Sequence, residues 1–381
     1  MKLTHKKLSV LAVMVASALL AGCGEKKEAA ADAAPAAGGG DKVVNVYNWS
    51  DYIAEETNPE FEKATGIKVT YDVFDTDEVL ETKLLAGNSG YDVVVPSSSF
   101  LGREVQAGVF LPLDKSKIPN YAGIDPVILK RLEGKDPGNT YAVPYMWGTV
   151  GIGYNTAKVA KALGSEDAAG SLDIVFKPEN MQKLKSCGVS FLDSPIDVIP
   201  LALNYLHEDP NSRDPAVIEK VVPLLKAVRP YITNFDSAAY IDALANGDAC
   251  VAIGYSGDVI QARDRAGEAD NGVEVGYAIP KEGTSIWVDS LTIPKDAKHA
   301  DAAYAYINYL LDPKVEAANT NYIGYPNPVP ASKEFVDPEI SSDASVYPPT
   351  EQVATFFDQG VLPQETAALY NRIWTELKTG K

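Results

Sequence analysis

The sequence predicts an α/β protein built as two lobes. Strand-like runs alternate along the chain with amphipathic helical patterns, which indicates a sheet with helices packed on its faces. The run YDVVVP (91–96) is largely apolar, as is typical of a strand buried on both faces of a parallel sheet. The chain has 381 residues, too many for one ordinary domain and enough for two.

The first lobe opens with a β-α-β-α-β order. Apolar runs predict strands at VVNVYNW (43–49), IKVTYDVF (67–74) and YDVVVP. Amphipathic patterns ending at Gly66 and Gly87 predict the helices between them, because glycine commonly stops a helix. GREVQAG then predicts a further short helix.

A second set of elements begins near TVGIGYN (149–155). The strands predicted after it are GVSFLD, ACVAIGY, VEVGYAIP and SIWVDSLTIP. The helices predicted in this part lie near 196–206, 215–228, 237–246, 300–311 and 363–380. Their alternation with strands predicts a second α/β lobe.

The N-terminal residues are typical of a secretory signal rather than of a folded domain. A basic start is followed by an apolar segment and then by small residues, which predicts a signal peptide over 1–22. The order Leu20-Ala21-Gly22-Cys23 resembles a bacterial lipoprotein cleavage box, so Cys23 is expected to be the lipidated first residue of the mature chain. The alternative is ordinary signal-peptidase cleavage nearby. Residues 23–41 have low complexity and predict a flexible tether.

The formal net charge is −18 at pH 7. This charge argues against binding of nucleic acid or of an anionic membrane through a basic surface. It mildly favours cationic partners, although the charge alone is better explained by acidity that only keeps the protein soluble.

Two cysteines remain beyond the predicted signal, Cys187 and Cys250. An exported protein folds in an oxidising compartment, which permits a disulfide between them. Two buried thiols are the alternative.

The patterns of common catalytic sites are absent from the sequence. His207 and His299 have no metal-binding spacing, and there is no Walker loop. GYSGD (254–258) lacks the spacing of a Gly-x-Ser-x-Gly nucleophile elbow. We therefore expect a binding protein rather than an enzyme, with no cofactor and no metal; a hydrolase of cationic substrates is a weaker alternative.

Aromatic and acidic residues recur where strand-like runs end, as in NWSDY (48–52). Four more such segments are PSSSF (96–100), GYSGD (254–258), IWVD (286–289) and IGYPN (323–327). Ligands of open α/β sheets bind beyond the carboxyl ends of the strands. Each aromatic taken singly is more often part of a core, and Asp258 taken singly could cap a helix.

The mixture of groups in these five segments suits an alkyl chain that carries ammonium groups. Methylenes pack on aromatic faces, ammonium groups pair with carboxylates and ring faces, and hydroxyls accept the remaining N–H bonds. No arginine occurs in the five segments, so an anionic ligand finds no guanidinium to bind it.

The chain resembles the periplasmic polyamine-binding proteins of bacterial ABC importers from about residue 43 to its end. The resemblance is carried by YNWSDYI, YDVFDTDEVLETKLLAGNSGYDVVVPSSSFL, LDKSKIPN, YAVPYMWGTVGIGYN, KPENMQKLKSCGVSFLD, DALANGDACVAIGYSGDV and AIPKEG. It implies a two-lobed, type II-like binding protein with mixed sheets, flanking helices and a hinge. The expected lobes are 42–148 plus about 277–325, and about 149–276 plus 326–381.

The resemblance also implies roles for individual residues. The expected polyamine-binding residues are Trp49, Ser50, Tyr52, Ser97, Tyr255, Asp258, Trp287, Asp289 and Tyr325. Putrescine-type members have an acid at the position of Ile196, and Asp197 follows it here. Trp287 stands where putrescine-type members have Phe, which favours spermidine over putrescine.

The implied function is that of a receptor. It binds a linear polyamine and delivers it to an inner-membrane ABC permease. The chain is expected to be a periplasmic monomer that is held to a membrane only by its lipid. A polyamine-sensing or polyamine-binding lipoprotein without a transport role is the alternative.

Overall fold

Ten strands join into one mixed sheet within the residues that this computed structural model describes, 42–353 and 355–380. The strands are β1 (Val43–Trp49), β2 (Lys68–Phe74), β3 (Val93–Val94), β4 (Ala142–Asn155), β5 (Val189–Phe191), β6 (Asn234–Phe235), β7 (Val251–Tyr255), β8 (Val275–Ala278), β9 (Ser285–Thr292) and β10 (Phe357–Asp358). They are hydrogen-bonded in the order β2-β1-β3-β9-β4-β7-β5-β6, with β10 paired to β9 and β8 paired to β4.

Helices of four to sixteen residues connect and cover these strands. They are α1 (Thr57–Thr65), α2 (Asp77–Ala86), α3 (Ser98–Ala107), α4 (Pro126–Leu132), α5 (Thr156–Leu163), α6 (Asp173–Phe176), α7 (Pro178–Leu184), α8 (Pro195–Tyr205), α9 (Pro215–Ile218), α10 (Val221–Val228), α11 (Tyr240–Ala245), α12 (Ser256–Ala269), α13 (Ala300–Leu310), α14 (Pro313–Ile323), α15 (Pro338–Ser341), α16 (Thr350–Val353) and α17 (Gln364–Thr379). The α/β class predicted from the sequence is therefore confirmed.

Strand β4 belongs to both halves of the sheet. Residues 142–149 pair antiparallel with β9, and residues 150–155 pair antiparallel with β7 on one side and β8 on the other. We call β1, β2, β3, β9 and β10 with the start of β4 the first half-sheet. The second half-sheet consists of β5, β6, β7 and β8 with the end of β4. A continuous strand thus connects the two halves.

The sequence prediction placed the start of this strand too late, near residue 149. Pro144 has no N–H to donate to a sheet, so a strand that contains it is unfavourable by local pattern. The structure accommodates it with a shift of register between Pro144 and Met146, and β4 begins at Ala142.

The remaining local predictions are largely confirmed. Strand β1 occupies the predicted residues, and α1 ends at Gly66, which has a φ of 74°. The Thr76 side chain accepts a hydrogen bond from the Val79 N–H and so caps α2. YDVVVP is shorter as a strand than predicted, because only Val93 and Val94 pair.

The C-terminal part of the chain contacts both half-sheets. Phe357 and Asp358 pair with Ser285 and Ile286 of β9, whereas α17 packs against α8 and α10. The lobe boundaries predicted from the sequence stay a prediction.

Three predictions concern residues outside the described part of the chain: the signal peptide (1–22), the tether (23–41) and lipidation of Cys23. Among the described residues, no helix is both long enough and apolar enough to cross a membrane.

A disulfide joins Cys187 to Cys250, whose Cα atoms lie 5.4 Å apart. Cys187 ends the turn that follows α7, and Cys250 immediately precedes β7. The link therefore ties a helical connection to the second half-sheet and closes a loop with a sequence separation of 63.

We expect the double replacement Cys187→Ala with Cys250→Ala to lower the melting temperature and leave the fold intact. Loop-closure entropy for this separation sets an upper bound of about 4 kcal/mol on the lost free energy of unfolding. Circular dichroism melts test the loss. Thiol titration of the unreduced native protein tests the bond itself, and two free thiols would contradict it.

Candidate functional site

A cavity of about 210 Å³ lies between the two half-sheets. All nine side chains predicted as site residues line it: Trp49, Ser50, Tyr52, Ser97, Tyr255, Asp258, Trp287, Asp289 and Tyr325. Those from the first half-sheet end or follow β1, precede α3 or lie on β9. Tyr255 and Asp258 lie where β7 meets α12, and Tyr325 follows α14. Drug-sized ligands occupy pockets of roughly 300–1,000 Å³, so this cavity suits a smaller molecule.

Four aromatic side chains form what we call the aromatic box: Tyr52, Tyr255, Trp287 and Tyr325. The Trp287 ring lies edge-to-face with Tyr255, at 6.1 Å between ring centroids, and with Tyr325, at 5.1 Å. Tyr52 meets Tyr325 in the same way at 5.5 Å. These edge-to-face contacts are the favoured geometry for aromatic pairs and fix each ring against the next.

Two glycines allow these rings to lie close to the backbone. A Cβ on Gly148 of β4 would overlap the indole of Trp287. A Cβ on Gly257 in the first turn of α12 would overlap the ring of Tyr325. Both ring positions therefore depend on residues without a side chain.

Asp258 is held by two tyrosine hydroxyls. Its carboxylate accepts hydrogen bonds from Tyr240, at 2.8 Å, and from Tyr325, at 2.6 Å. It lies in the first turn of α12, whose N-cap is Tyr255, so it is not the capping residue. Burial raises the pKa of Asp258 to about 6, although the two hydroxyls lower it in part.

Asp289 is buried without such support. Its side chain lies on β9 and is 6% exposed. Among the described residues, no donor reaches its carboxylate with the geometry of a full hydrogen bond. The Tyr52 hydroxyl lies beside it and is itself buried without a hydrogen-bond partner. Burial, together with the negative charges of Asp77 and Asp197, holds the pKa of Asp289 well above its usual range.

Asp197 also lines the cavity, next to Ile196. Its carboxylate accepts hydrogen bonds from the hydroxyls of Ser194, at 2.6 Å, and Tyr255, at 2.8 Å, and from the amide of Gln359, at 2.6 Å. Burial raises its pKa above the ordinary value. The loop in which Ile196 departs from the putrescine-type pattern therefore still brings an acid to the cavity, one residue later.

Asp77 is a further acid of the cavity and begins α2. Its carboxylate accepts hydrogen bonds from the Ser97 N–H, at 3.1 Å, and from the Ser97 hydroxyl, at 2.5 Å. Burial raises the pKa of Asp77 to about 7, against the lowering effect of the Ser97 bonds.

The site residues predicted from the sequence do not include Asp77 or Gln359, and the role of Asp197 is left open there. An acid at the start of a helix is usually explained by capping or by the helix dipole, so Asp77 did not stand out. Its place three residues beyond β2 matches that of Asp258, which lies three residues beyond β7. Gln359 had no such signal, because β10 is only two residues long.

The charged side chains that line the cavity in the described part of the chain are all negative. The side chains that line it include seven acids and no lysine, arginine or histidine among the described residues; the acids are Asp75, Asp77, Glu78, Asp193, Asp197, Asp258 and Asp289. No group of three acidic, histidine or cysteine side chains in the described part of the chain is arranged to hold a metal ion. The arrangement can neutralise an organic cation that brings its own hydrogen-bond donors.

Comparison with known proteins agrees with this arrangement. The family model described as bacterial extracellular solute-binding protein matches residues 59–348. The chain is 50% identical to the putrescine-binding periplasmic protein SpuD of Pseudomonas aeruginosa, over 90% of this chain and 93% of that one. It is also 50% identical to the putrescine-binding periplasmic protein PotF of Escherichia coli, over 89% of this chain and 92% of that one.

A solved structure extends the similarity to the fold. The spermidine/putrescine ABC transporter substrate-binding protein PotD of Streptococcus pneumoniae superimposes with a TM-score of 0.76 at 29% sequence identity. The match covers 89% of this chain and 99% of that one. The chain belongs to the family of bacterial extracellular solute-binding proteins.

Proposed function

We propose that this protein is an extracytoplasmic receptor that binds a linear polyamine in the cavity and delivers it to an ABC permease. The observation that carries the proposal is the cavity lining itself, with seven acids, no cationic side chain among the described lining residues and an aromatic box. A polyamine supplies what this lining lacks, namely positive charge and N–H donors on an apolar chain.

Each part of the ligand has a matching part of the cavity. One ammonium group pairs with Asp289 of the first half-sheet and another with Asp258 of the second. The aromatic box covers the methylenes between them, and a cation above such a ring gains roughly 0.5–2 kcal/mol. An amino acid ligand would leave its carboxylate facing carboxylates, which disfavours it.

Binding to both half-sheets at once explains how occupancy is signalled to a permease. A ligand shifts a conformational equilibrium only if it interacts better with one state than with another. A polyamine that bridges Asp258 and Asp289 favours the closed arrangement of the two halves, and the permease then distinguishes closed receptors from open ones.

The names of the relatives support this ligand class. Those with 50% identity are named putrescine-binding, and a relative from Salmonella typhimurium with 32% identity is named spermidine/putrescine-binding. We extend the relatives' periplasmic location to this chain, as a monomer anchored through lipid on Cys23. The mass of the native mature N-terminus tests the anchor, and a first residue other than Cys23 would contradict it.

Calorimetry on purified protein tests the function. The panel contains putrescine, cadaverine, spermidine, spermine, agmatine, lysine and arginine. We expect tight binding of one or more linear polyamines, weak or no binding of the two amino acids, and chemically unchanged ligand after incubation. Failure of every polyamine to bind, or turnover of one of them, would overturn the proposal.

We expect Asp289→Asn to weaken polyamine binding by roughly 2–5 kcal/mol, because a buried ammonium group loses its charged partner. The melting temperature of the ligand-free protein should stay the same or rise, since the amide oxygen of Asn can still accept from the Tyr52 hydroxyl and a buried acid is removed. Calorimetry and circular dichroism measure the two effects. Retention of affinity within a factor of a few would place the ligand elsewhere.

Asp258→Asn and Trp287→Ala are the matched comparisons. Asp258→Asn should weaken binding by a similar amount but also lower the melting temperature, because Tyr240 and Tyr325 both donate to this carboxylate. Trp287→Ala should cost less affinity than either acid, since it removes apolar cover and a ring face rather than a charge.

Polyamine affinity should fall as the pH falls from about 8 to 5. The pKa of Asp77 is about 7 and that of Asp258 about 6 in the ligand-free protein, so each takes up a proton in this window and loses its charge. Each carboxylate that must be ionised for binding contributes up to about a tenfold loss per pH unit.

The same linkage predicts that binding near pH 6–7 releases protons, because a bound cation lowers the pKa of both acids. Calorimetry in two buffers with different ionisation enthalpies measures this release. Affinity that does not change with pH, together with a binding enthalpy that does not depend on the buffer, would contradict the prediction.

A further inference from the structure

The acids of the cavity are unevenly distributed. Asp77, Asp197 and Asp289 all line the cavity, and we call this group the acidic end. Beyond burial, the charge of Asp197 raises the pKa of Asp77, and the charges of Asp77 and Asp197 raise the pKa of Asp289. The charged groups that act on Asp258 are Arg265 and Asp51 instead. Beyond burial, the charges of Asp289 and Asp258 raise the pKa of Tyr52, and those of Asp197, Asp258 and Asp77 raise the pKa of Tyr255, so both rings are close to acids of each group.

Asp77 completes the acidic end through Ser97. The Ser97 hydroxyl donates its only proton to Asp77, so its oxygen can act only as an acceptor toward a ligand. Ser97 also forms a β-bridge with Asp289, so the same serine contacts both acidic residues. The arrangement presents acceptors alone, as a cationic N–H donor requires.

Asp289 is a second reason to expect positive charge here, because its carboxylate is 6% exposed, lines the cavity and is approached by the Tyr52 hydroxyl but by no cationic group of the described residues. Asp197 already accepts three hydrogen bonds. Asp77 accepts two, and a carboxylate has about four acceptor positions, so it keeps capacity for a ligand.

We propose that Asp77 is a specificity-determining residue, which makes the acidic end select a ligand with two cationic nitrogens close together at one end. Among linear polyamines, that is the aminopropyl end of a triamine such as spermidine, with the aminobutyl nitrogen at Asp258. A diamine places one positive charge at each end of the cavity, so the negative charge of the acidic end is only partly neutralised. This inference rests on the proposed function and refines its ligand.

In the described part of the chain, the charged groups that act on Asp77 are acids. The groups that face it are Glu78 from its own helix, Glu104 from α3, Asp197 from α8, Asp289 from β9 and the Tyr255 hydroxyl. Glu104 is fully buried, and neither of its carboxyl oxygens has a partner among the described residues. Arg103, next to Glu104, is paired with Glu81 at 2.5 Å. A second ligand nitrogen is therefore the charge that this cluster lacks.

The decisive variant is Asp77→Asn, which keeps the shape of the side chain and removes its charge. Calorimetry at about pH 8 compares spermidine with putrescine on wild type and variant. We expect spermidine affinity to fall about 10- to 100-fold and putrescine affinity to fall less, so that the preference for spermidine drops at least about tenfold. Glu56→Gln, an exposed loss of one charge outside the cavity, should leave both affinities unchanged.

An equal loss for both ligands would show that Asp77 only positions Ser97 and would overturn the inference, as would unchanged affinities. The wild-type protein provides a second test, which does not depend on whether the Asp77→Asn variant folds. Its preference for spermidine should decline as the pH falls through about 7, the pKa of Asp77, and a preference that is flat across this range counts against the inference. Wild type that binds putrescine but not spermidine overturns this inference alone, and wild type that binds neither overturns the proposed function as well.

Discussion

The burial of like charges without a counter-charge is the constraint on which the rest of this structure depends. Four of the aspartates that line the cavity are buried, and desolvation raises the pKa of each of these four. Such a cluster is unfavourable in a folded protein unless protons or a bound cation neutralise it. Ligand binding is therefore part of what completes the fold around the cavity rather than an addition to a finished surface.

The fold brings these acids together from distant parts of the sequence. Asp77 and Asp289 come from the first half-sheet and its connections, and Asp197 and Asp258 from the second. Strand β4 runs through both halves and gives them a common axis, while the aromatic box contributes rings from each side. Tyrosine hydroxyls donate hydrogen bonds to Asp258 and Asp197, whereas the Tyr52 hydroxyl only lies beside Asp289. The three acids therefore respond differently to loss of the ligand.

Much of this arrangement could be predicted from the sequence, because strand ends mark the edge where α/β proteins bind ligands. Aromatic and acidic residues at those ends identified nine side chains that the structure brings to one cavity. The predictions failed where the local sequence pattern had a second physical explanation. Asp77 is explained equally well as the start of a helix. Pro144 is unfavourable in a strand, but a shift of register allows β4 to include it. Gln359 reaches the cavity only through tertiary packing. None of these three outcomes is encoded by local periodicity.

The contact of Gly148 with Trp287 and of Gly257 with Tyr325 has an evolutionary consequence. Glycine and alanine codons differ by one base, and an added methyl at either position would push a ring into the cavity. Substrate range can therefore drift in this lineage while every side chain that meets the ligand stays the same. Gene comparisons that score only ligand-contacting residues would group such descendants as functionally equivalent, although their cavities had different shapes.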